Sequence, residues 1–239
     1  MIPRVLIPLR PDNPKSRLSP VLSEEERQTL FLLMLEHVVS VLKRAGISQL
    51  DLLSTTALSK SIETSVLSLF CDSGNGSDGG NGDSFASFLT DERDLNSAVN
   101  AYLKKSAAPI LIVMADLALL RPENILQMVR PPVEKSQVYG RLIRVAPGKG
   151  GGTNMIFIGA PDVFDVKYHG QSFKKHVDEA QDLGLCLEIY DSFYASIDID
   201  EPGDLTELLI HGEGPLREFA DKTLSLLETN GRNRFEHKK

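Results

Sequence analysis

Cysteine is scarce in this sequence and tryptophan is absent. The two cysteines, Cys71 and Cys186, lie far apart in the 239 residues. Two such residues cannot build a disulfide framework or a cysteine-rich zinc cluster, so we expect a reducing, cytoplasmic location. Either thiol could be reactive, but a small buried or incidental residue is the ordinary interpretation.

Long apolar runs and excess positive charge are also lacking. No run of about 18 apolar residues occurs, which argues against a transmembrane helix. The apolar stretch 1–9 is too short for the core of a signal peptide and contains Pro3 and Pro8, so we interpret it as a strand. The net charge of −7, without a basic arm, argues against nucleic acid as a partner. An acidic protein that handles phosphates must gather its positive charge locally or use a metal ion.

The apolar content is sufficient for a substantial core, since 41% of the residues are hydrophobic. We predict a single domain over residues 1–220 and a polar C-terminal tail over 221–239. The segment 72–83 (DSGNGSDGGNGD) is interpreted as a flexible glycine-rich insertion. A calcium-binding loop is rejected because the EF-hand spacing is missing.

Strand and helix patterns alternate along the chain, which predicts an α/β protein with a mostly parallel sheet covered on both faces. The later, strand-rich part suggests some antiparallel additions. A capping box at Ser23 and Glu26 marks the clearest helix, which should end at Gly46. Strands are predicted at 4–9, 49–54, 109–114, 137–145, 154–159, 185–190 and 194–199, and segment 62–70 is uncertain. Further helices are predicted to begin near Leu95, Pro122, Phe173, Pro202 and Arg217.

A loop with three cations follows the first strand. Arg10, Lys15 and Arg17 lie where ligands bind in open α/β sheets, beyond the carboxyl end of a strand. Such side chains can hold a triphosphate and stabilise departing pyrophosphate. A solvated basic loop is an equally acceptable interpretation of the charge alone.

Acidic residues occupy two similar positions. Asp116 follows the most apolar strand, PILIVM, and is a candidate ligand of Mg²⁺, which prefers one or two carboxylates plus phosphate oxygens. Asp198 and Asp200 are two residues apart on a predicted strand, so both should face one side and share a cation. Capping of a helix is the alternative for Asp116, and capping by Asp200 or Glu201 is the alternative for the pair.

The glycine-rich segment 148–154 offers free backbone N–H groups beside the Thr153 hydroxyl, an arrangement that can hold a phosphate or carboxylate. A flexible hairpin turn is the alternative, since the Walker and Rossmann spacings are both absent. His169 and His176 have no metal-ligand partner at diagnostic spacing, so a polar or capping role is expected for each.

Six segments in order carry a family resemblance over nearly the whole chain, apart from the insertion and the tail. They are 15–23 (KSRLSPVLS), 95–99 (LNSAV), 116–120 (DLALL), 152–154 (GTN), 172–176 (SFKKH) and 198–205 (DIDEPGDL). Together they resemble the 2-phospho-L-lactate guanylyltransferase family of coenzyme F420 biosynthesis. The resemblance implies a three-layer α/β/α fold similar to nucleotide-diphospho-sugar transferases. It also implies a homodimer that condenses GTP with 2-phospholactate, giving lactyl-2-diphospho-5'-guanosine and pyrophosphate.

The resemblance also implies a role for each matching residue. Mg²⁺ would be held by Asp116, Asp198 and Asp200, and the catalytic residues Lys15 and Arg17 would meet the triphosphate. Arg10 and Asn96 would complete the nucleotide site. The phosphorylated acid would be bound by Thr153, Asn154, Gly170 and Ser172, with help from the N–H groups at a helix start.

Five positions depart from the family pattern. Arg10 stands where lysine is usual, Ala118 replaces a proline, Gly151 a threonine, and Asp94 and His169 each replace a glycine. Two alternatives therefore stay open. One is transfer to another phosphorylated acid, such as phosphoenolpyruvate or phosphoglycerate, and the other is a non-catalytic nucleotide-binding protein. The glycine-rich LAGGxSxRMG opening of molybdopterin and sugar nucleotidyltransferases is absent.

Overall fold

A single mixed sheet forms the centre of the protein in the computed structural model, which describes residues 3–10, 13–58, 60, 63–64, 68, 86–132 and 138–229. Within these residues the sheet has seven strands in the order β3-β2-β1-β4-β6-β5-β7. The strands are β1 (Arg4–Leu9), β2 (Leu50–Ser54), β3 (Ala86–Thr90), β4 (Ile110–Val113), β5 (Leu142–Pro147), β6 (Thr153–Ile158) and β7 (Cys186–Ile189). The helices are α1 (Glu24–Arg44), α2 (Leu95–Leu103), α3 (Pro122–Val129), α4 (Ser172–Asp182), α5 (Phe193–Ser196), α6 (Asp204–His211) and α7 (Gly214–Thr229).

Most strand pairings are parallel, as predicted. The first four strands pair in parallel, and β7 pairs in parallel with β5. The exception is β6, which is antiparallel to both of its neighbours, β4 and β5. The five-residue, glycine-rich connection 148–152 folds β5 back onto β6 as a hairpin, which reverses the direction of β6. The expected antiparallel additions are therefore confirmed.

Helices cover both faces of the sheet, because the strands are apolar on both sides. In β1, the side chains of Val5 and Ile7 pack in a core with α1 and α3. The intervening Leu6 packs in a second core, with α2 and α4 on the opposite face. A third apolar cluster joins the outer side of α1 to α6 and α7. The predicted three-layer α/β/α arrangement is confirmed.

The start of α1 follows the capping box read from the sequence. The Ser23 hydroxyl accepts a hydrogen bond from the Glu26 backbone N–H at 3.2 Å, and the Glu26 carboxylate accepts one from the Ser23 N–H at 2.8 Å. The helix ends just before Gly46, whose φ of 79° suits glycine. This fixed start places the preceding loop, residues 13–22, beside the carboxyl end of β1.

The strand predicted at 194–199 is wrong. The chain forms the short helix α5 and then an irregular segment over 197–200. The carbonyl groups that a strand would offer to a neighbour are already bound, because the Ala195 carbonyl accepts from Asn154 Nδ2 at 3.1 Å and the Ser196 carbonyl from the Lys149 N–H at 2.9 Å. Hydrogen bonds from the glycine-rich segment therefore hold residues 195 and 196 in a conformation that is not a strand.

Other boundaries differ from the sequence prediction. The strand predicted at 137–145 begins at Leu142, after a 3-10 turn over Tyr139–Arg141. Strand β3 was not predicted. The boundary expected at residue 220 falls inside α7, where Leu227 is buried. The insertion 72–83, the tail 230–239 and most of segment 62–70 lie outside the described residues. Within the described part of the chain, no helix combines the length and apolarity needed to cross a bilayer.

Candidate active site

A cavity of about 500 Å³ opens at the carboxyl ends of β1 and β4. Its cationic wall is the loop after β1, with Arg10, Lys15 and Arg17. The lining also includes two carboxylates next to this wall, Asp116 from the loop after β4 and Asp200. This is the edge of the sheet at which ligands bind in open α/β proteins, so the location agrees with the sequence analysis.

Lys15 is the centre of the charged cluster. Its Nζ atom is 2.6 Å from Asp116 Oδ2 and 3.5 Å from Asp200 Oδ1, and 8% of its side chain is exposed. The backbone of Lys15 is left-handed, with φ 54° and ψ 42°, a conformation that costs a non-glycine residue about 1 kcal/mol. The Leu18 N–H donates to the Lys15 carbonyl at 2.9 Å, and the turn formed by this bond stabilises the left-handed conformation.

Asp200 also pairs with Arg17. The distance from Arg17 Nη1 to Asp200 Oδ2 is 2.6 Å, and the Arg17 side chain is largely exposed. The predicted residues 15, 17, 116 and 200 are thus brought together from three distant stretches of the chain. A second cavity, of about 320 Å³, lies beyond this ion pair and is lined in part by Lys149, Asp198 and Asp204. Because Arg17 and Asp200 line both cavities, their ion pair separates the two spaces.

The capping alternative for Asp200 is wrong, because another residue performs that role. Asp204 accepts hydrogen bonds from the backbone N–H groups of Asp200 at 3.0 Å and Glu201 at 2.7 Å. The Asp200 carboxylate is therefore available to Lys15 and Arg17. The Asp116 carbonyl accepts from the Ile199 N–H at 3.3 Å, which holds the two acidic segments side by side.

The pKa values in this cluster follow from burial and neighbouring charge. Burial alone lowers the pKa of Lys15, but the nearby carboxylates, Asp116 foremost, raise it above its ordinary value overall. Lys15 therefore stays charged. Burial is the main cause of the raised pKa of Asp198, and the charge of Asp116 adds to it, while Lys15 and a hydrogen bond from Asn154 oppose the rise.

One specific observation indicates that this charged cluster suits a divalent cation. Asp116 Oδ1 is buried and has no hydrogen-bond partner among the residues that the structure describes, although the other oxygen of the same carboxylate binds Lys15. A buried, unpaired carboxylate oxygen is costly, and a cation would satisfy it. Among the described residues, no three His, Cys, Asp or Glu side chains are arranged to hold one metal ion. The expected three-aspartate site is thus not preformed, and the Lys15 ammonium lies between Asp116 and Asp200 instead.

The residues predicted to bind the acid lie together around the glycine-rich segment and the start of α4. The Phe173 N–H donates to the Gly151 carbonyl at 3.2 Å, which joins the two elements. Gly170, with φ 59°, turns the chain into α4, where Ser172 is buried. Thr153 and Asn154 are buried at the start of β6. These four residues do not belong to the linings of the two cavities described above.

Asn96, predicted to bind the nucleotide, has its side chain engaged elsewhere. Its Oδ1 atom accepts a hydrogen bond from the Tyr168 N–H at 2.6 Å, while the preceding Leu95 lines the larger cavity. Two departures from the family pattern are also accounted for. Asp94 caps α2 through the N–H groups of Asn96 and Ser97, and Ala118 is buried in the third apolar cluster.

His176 is the residue whose importance the sequence did not indicate. It is fully buried, with Nδ1 2.9 Å from Thr153 Oγ1, and Nε2 accepts from the Lys167 N–H at 2.8 Å. Burial lowers its pKa to about 4, with a smaller effect from the positive charge of Lys167. The sequence pattern suggested a polar or capping role. Its place in the SFKKH segment was the available signal.

Comparison with known proteins gives matches over almost the whole chain. The sequence profile of the family described as "guanylyl transferase CofC like" matches residues 3–68 and 81–228. The protein named 2-phospho-L-lactate guanylyltransferase from Methanosarcina mazei is 44% identical over 229 residues, which cover 96% of this chain and 97% of that protein. The protein of the same name from Methanosarcina barkeri is 38% identical over 98% of this chain and 99% of its own length.

Solved structures with a similar fold are more distant in sequence. The crystal structure of a Desulfovibrio desulfuricans protein described as a nucleotide-diphospho-sugar transferase superposes with a TM-score of 0.66 at 15% identity. The match covers 94% of this chain and 96% of that one. A cytidylyltransferase from Leptospira borgpetersenii gives a TM-score of 0.53 at 12% identity, with 99% of each chain covered. At these identities the likeness concerns the fold, and it confirms the predicted nucleotide-diphospho-sugar transferase-like architecture.

Proposed function

The chain belongs to the family of CofC-like guanylyl transferases, and from that premise we propose that it transfers a guanylyl group from GTP to 2-phospho-L-lactate. The products are lactyl-2-diphospho-5'-guanosine, a precursor in coenzyme F420 biosynthesis, and pyrophosphate. One observation carries the proposal. Lys15 Nζ lies between Asp116 and Asp200 at the cavity edge, which joins a cationic loop to carboxylates more than 100 positions away.

The larger cavity is the proposed nucleotide site. Its volume of about 500 Å³ lies within the usual range of ligand pockets, and its cationic wall suits a triphosphate. Lys15 and Arg17 bind the phosphates, and Arg10 adds a third positive charge. These charges stabilise the pyrophosphate as it leaves. Asn96 contributes to this site indirectly, because its side chain already accepts a hydrogen bond from the Tyr168 N–H. This bond holds the start of α2 in place.

Asp116 and Asp198, with Asp200 beside them, would hold Mg²⁺. When bound, the ion neutralises charge on the phosphates of the nucleotide and of the acid. The unpaired Asp116 Oδ1 supports this assignment, as does the raised pKa of Asp198, because a carboxylate that is costly to charge is relieved by a nearby cation. The exposed Arg17 can exchange Asp200 for a phosphate, and this exchange frees the carboxylate.

The chemical step is an in-line displacement at the α-phosphorus of GTP. A phosphate oxygen of the acid forms the new P–O bond, and the bond from the α-phosphorus to the α–β bridging oxygen breaks, so pyrophosphate leaves. No general base is required, because the attacking phosphate is already deprotonated at neutral pH. Positioning and charge neutralisation by Lys15 and Arg17 account for the catalysis.

The acid is proposed to lie against the glycine-rich segment and the start of α4. Thr153 and Ser172 offer hydroxyl groups there, and Gly170 offers a turn without a side chain. Asn154 supports the site indirectly, because its amide already donates to the Ala195 carbonyl. The positive end of the α4 dipole favours an anion. The second cavity, with Lys149 and Asp198 in its wall, connects this region to the charged cluster.

Pyrophosphate release tests the proposal. The full-length protein is incubated with GTP, Mg²⁺ and, in separate reactions, 2-phospho-L-lactate, phosphoenolpyruvate or phosphoglycerate. We expect release that requires both GTP and 2-phospho-L-lactate and stops when Mg²⁺ is chelated. Faster release with another acid would reassign the substrate. Absence of release with every acid, from a protein that binds GTP, would favour the non-catalytic alternative. The homodimer and the cytoplasmic location stay predictions.

A further inference from the structure

Three consecutive backbone N–H groups are each held by a side chain from a neighbouring helix. The Val166 N–H donates to Asn100 Oδ1 at 2.7 Å, and the Tyr168 N–H donates to Asn96 Oδ1 at 2.6 Å. Between them, the Lys167 N–H donates to His176 Nε2 at 2.8 Å. Residues 166–168, here called the clamped segment, are therefore fixed by α2 on one side and by α4 on the other.

This contact determines the tautomer of His176. An imidazole nitrogen that accepts a hydrogen bond from a backbone N–H carries no proton, so Nε2 is unprotonated. Burial keeps the ring neutral near pH 7, since its pKa is lowered to about 4. The single ring proton is therefore on Nδ1, which lies 2.9 Å from Thr153 Oγ1. It follows that His176 donates and that the Thr153 oxygen accepts.

The direction of this bond sets the role of the Thr153 hydroxyl. One of its lone pairs is occupied by His176, so its own hydrogen must be donated elsewhere. We propose that His176 is a positioning residue that fixes Thr153 as a hydrogen-bond donor, so that this position binds an unprotonated phosphate or carboxylate oxygen. The proposal rests on the function proposed above, in which Thr153 meets the phosphorylated acid.

The surroundings of Thr153 support a ligand oxygen at this point. Thr153 lies in the glycine-rich segment, and the preceding Gly152 lies beside the Ser172 hydroxyl at the first residue of α4. Hydroxyl groups from two elements thus lie close together, where the positive end of α4 also favours an anion. The bond from His176 excludes the orientation in which the Thr153 hydrogen points at the imidazole, so this hydrogen is left to be donated to that anion.

The tautomer can be measured directly. Histidine labelled with ¹⁵N in the full-length protein gives ring signals that distinguish protonated from unprotonated nitrogen, and the His176 signals are those missing from a His176 variant. We expect a proton on Nδ1 and none on Nε2 at pH 7. A proton on Nε2, or a doubly protonated ring, would overturn the proposal. This measurement does not depend on activity.

Two substitutions of His176 distinguish the contact of Nδ1 with Thr153 from the contact of Nε2 with the Lys167 N–H. In His176→Asn the amide nitrogen replaces Nδ1 and still donates to Thr153, whereas in His176→Gln the amide reaches the position of Nε2 and the donation is lost. We expect the KM for 2-phospho-L-lactate to stay within about threefold in His176→Asn and to rise about tenfold or more in His176→Gln. The KM for GTP should be unchanged in both, because His176 does not line the nucleotide cavity.

His211→Asn, on α6 and away from the clamped segment, is the matched control and should behave as the unsubstituted protein does. Equal effects of the Asn and Gln variants on the KM for the acid would contradict the proposal, as would a parallel rise in the KM for GTP. If the unsubstituted protein uses none of the phosphorylated acids, the proposed function fails. The nitrogen measurement then still decides whether His176 fixes Thr153 as a donor.

Discussion

At the scale of single residues, Lys15 combines three properties that seldom occur together. It is largely buried, its backbone is left-handed, and its ammonium group lies between two carboxylates. Strained backbone at a buried charge is typical of functional positions, where the surrounding structure compensates the cost. Removing the charge should therefore affect both stability and activity.

Lys15→Met is expected to lower the free energy of unfolding by about 2 kcal/mol, because Asp116 and Asp200 lose the cation between them. Turnover should fall about 100-fold, since one positive group at the phosphates is lost. Urea unfolding and pyrophosphate release measure the two effects. Lys15→Arg keeps the charge in a larger side chain. It should regain stability only in part, because the larger guanidinium does not fit the buried position of the Lys15 ammonium between the two carboxylates. Stability and activity equal to those of the unsubstituted protein would show that the charge alone is sufficient.

His176 should make the stability of the protein dependent on pH. The unfolded chain binds a proton at this histidine near its ordinary pKa of 6.5, whereas the folded protein does so only near pH 4. The contribution is complete above pH 6.5 and is lost as the pH falls towards 4, a change of roughly 3 kcal/mol. The difference in unfolding free energy between the unsubstituted protein and His176→Asn should shrink over this range. A difference that is constant with pH would show that His176 titrates normally.

The sequence identified the charged residues but not their partners. Asp116, Asp200 and Lys15 could be found because each follows an apolar segment or lies in a recognisable motif. Their pairing could not, because the Lys15 side chain is directed by a left-handed turn that only the folded chain reveals. His176 was missed for a similar reason. Its partners are a hydroxyl 23 positions away and a backbone N–H, and neither leaves a pattern in the sequence.

At the scale of elements, α1 links the cap at Ser23 to the site. The helix packs Leu30 and Met34 under the loop that carries Leu18, so a shift of its start would move Lys15 and Arg17 as well. The capping box is visible in the sequence because it depends on residues three apart. It can therefore be tested on its own.

Ser23→Ala removes the hydroxyl that accepts from the Glu26 N–H and should cost about 1 kcal/mol of unfolding free energy. Ser40→Ala is the matched control, since Ser40 is exposed and lies within the same helix. We expect no loss of stability there. Equal losses at the two positions in urea unfolding would indicate that the cap contributes nothing.

The elements that were predicted wrongly share a physical cause. Residues 194–199 have the composition of a strand, but Lys149 and Asn154 bind the carbonyls of Ser196 and Ala195 and keep the segment irregular. Strand β3 is short, partly exposed and preceded by the glycine-rich stretch, so its pattern is weak. In both cases contacts distant in sequence determine the result, and local periodicity does not record them.

At the scale of the whole molecule, the order of the strands could not be derived from the sequence. The alternation of strands and helices predicted a parallel sheet. The position of β6 between β4 and β5 depends on the glycine-rich hairpin that joins β5 to β6, and the same glycines would also suit a ligand-binding loop. A helix was predicted to begin near Arg217, and α7 begins at Gly214, but its packing against the rest of the protein was not predicted. Its buried Thr223 and Leu227 lie beyond the predicted domain boundary at residue 220.

Truncation tests where the folded unit ends. A chain that stops at residue 220 loses the buried side chains of Thr223 and Leu227 and should be at least about 2 kcal/mol less stable than a chain that stops at residue 229. Thermal or urea unfolding of the two chains gives the difference. Equal stability would support the boundary predicted from the sequence.

The central claim is that distant stretches of the chain meet around Asp116 to bind a cation and the phosphates of GTP. The most direct measurement is the pyrophosphate release of Asp116→Asn with GTP, 2-phospho-L-lactate and Mg²⁺, alongside its unfolding free energy. Asp162→Asn, an exposed position, is the control. We expect the Asp116 variant to lose at least about 100-fold in turnover while it stays folded, and the control to lose nothing. Turnover by Asp116→Asn equal to that of the control would contradict the account.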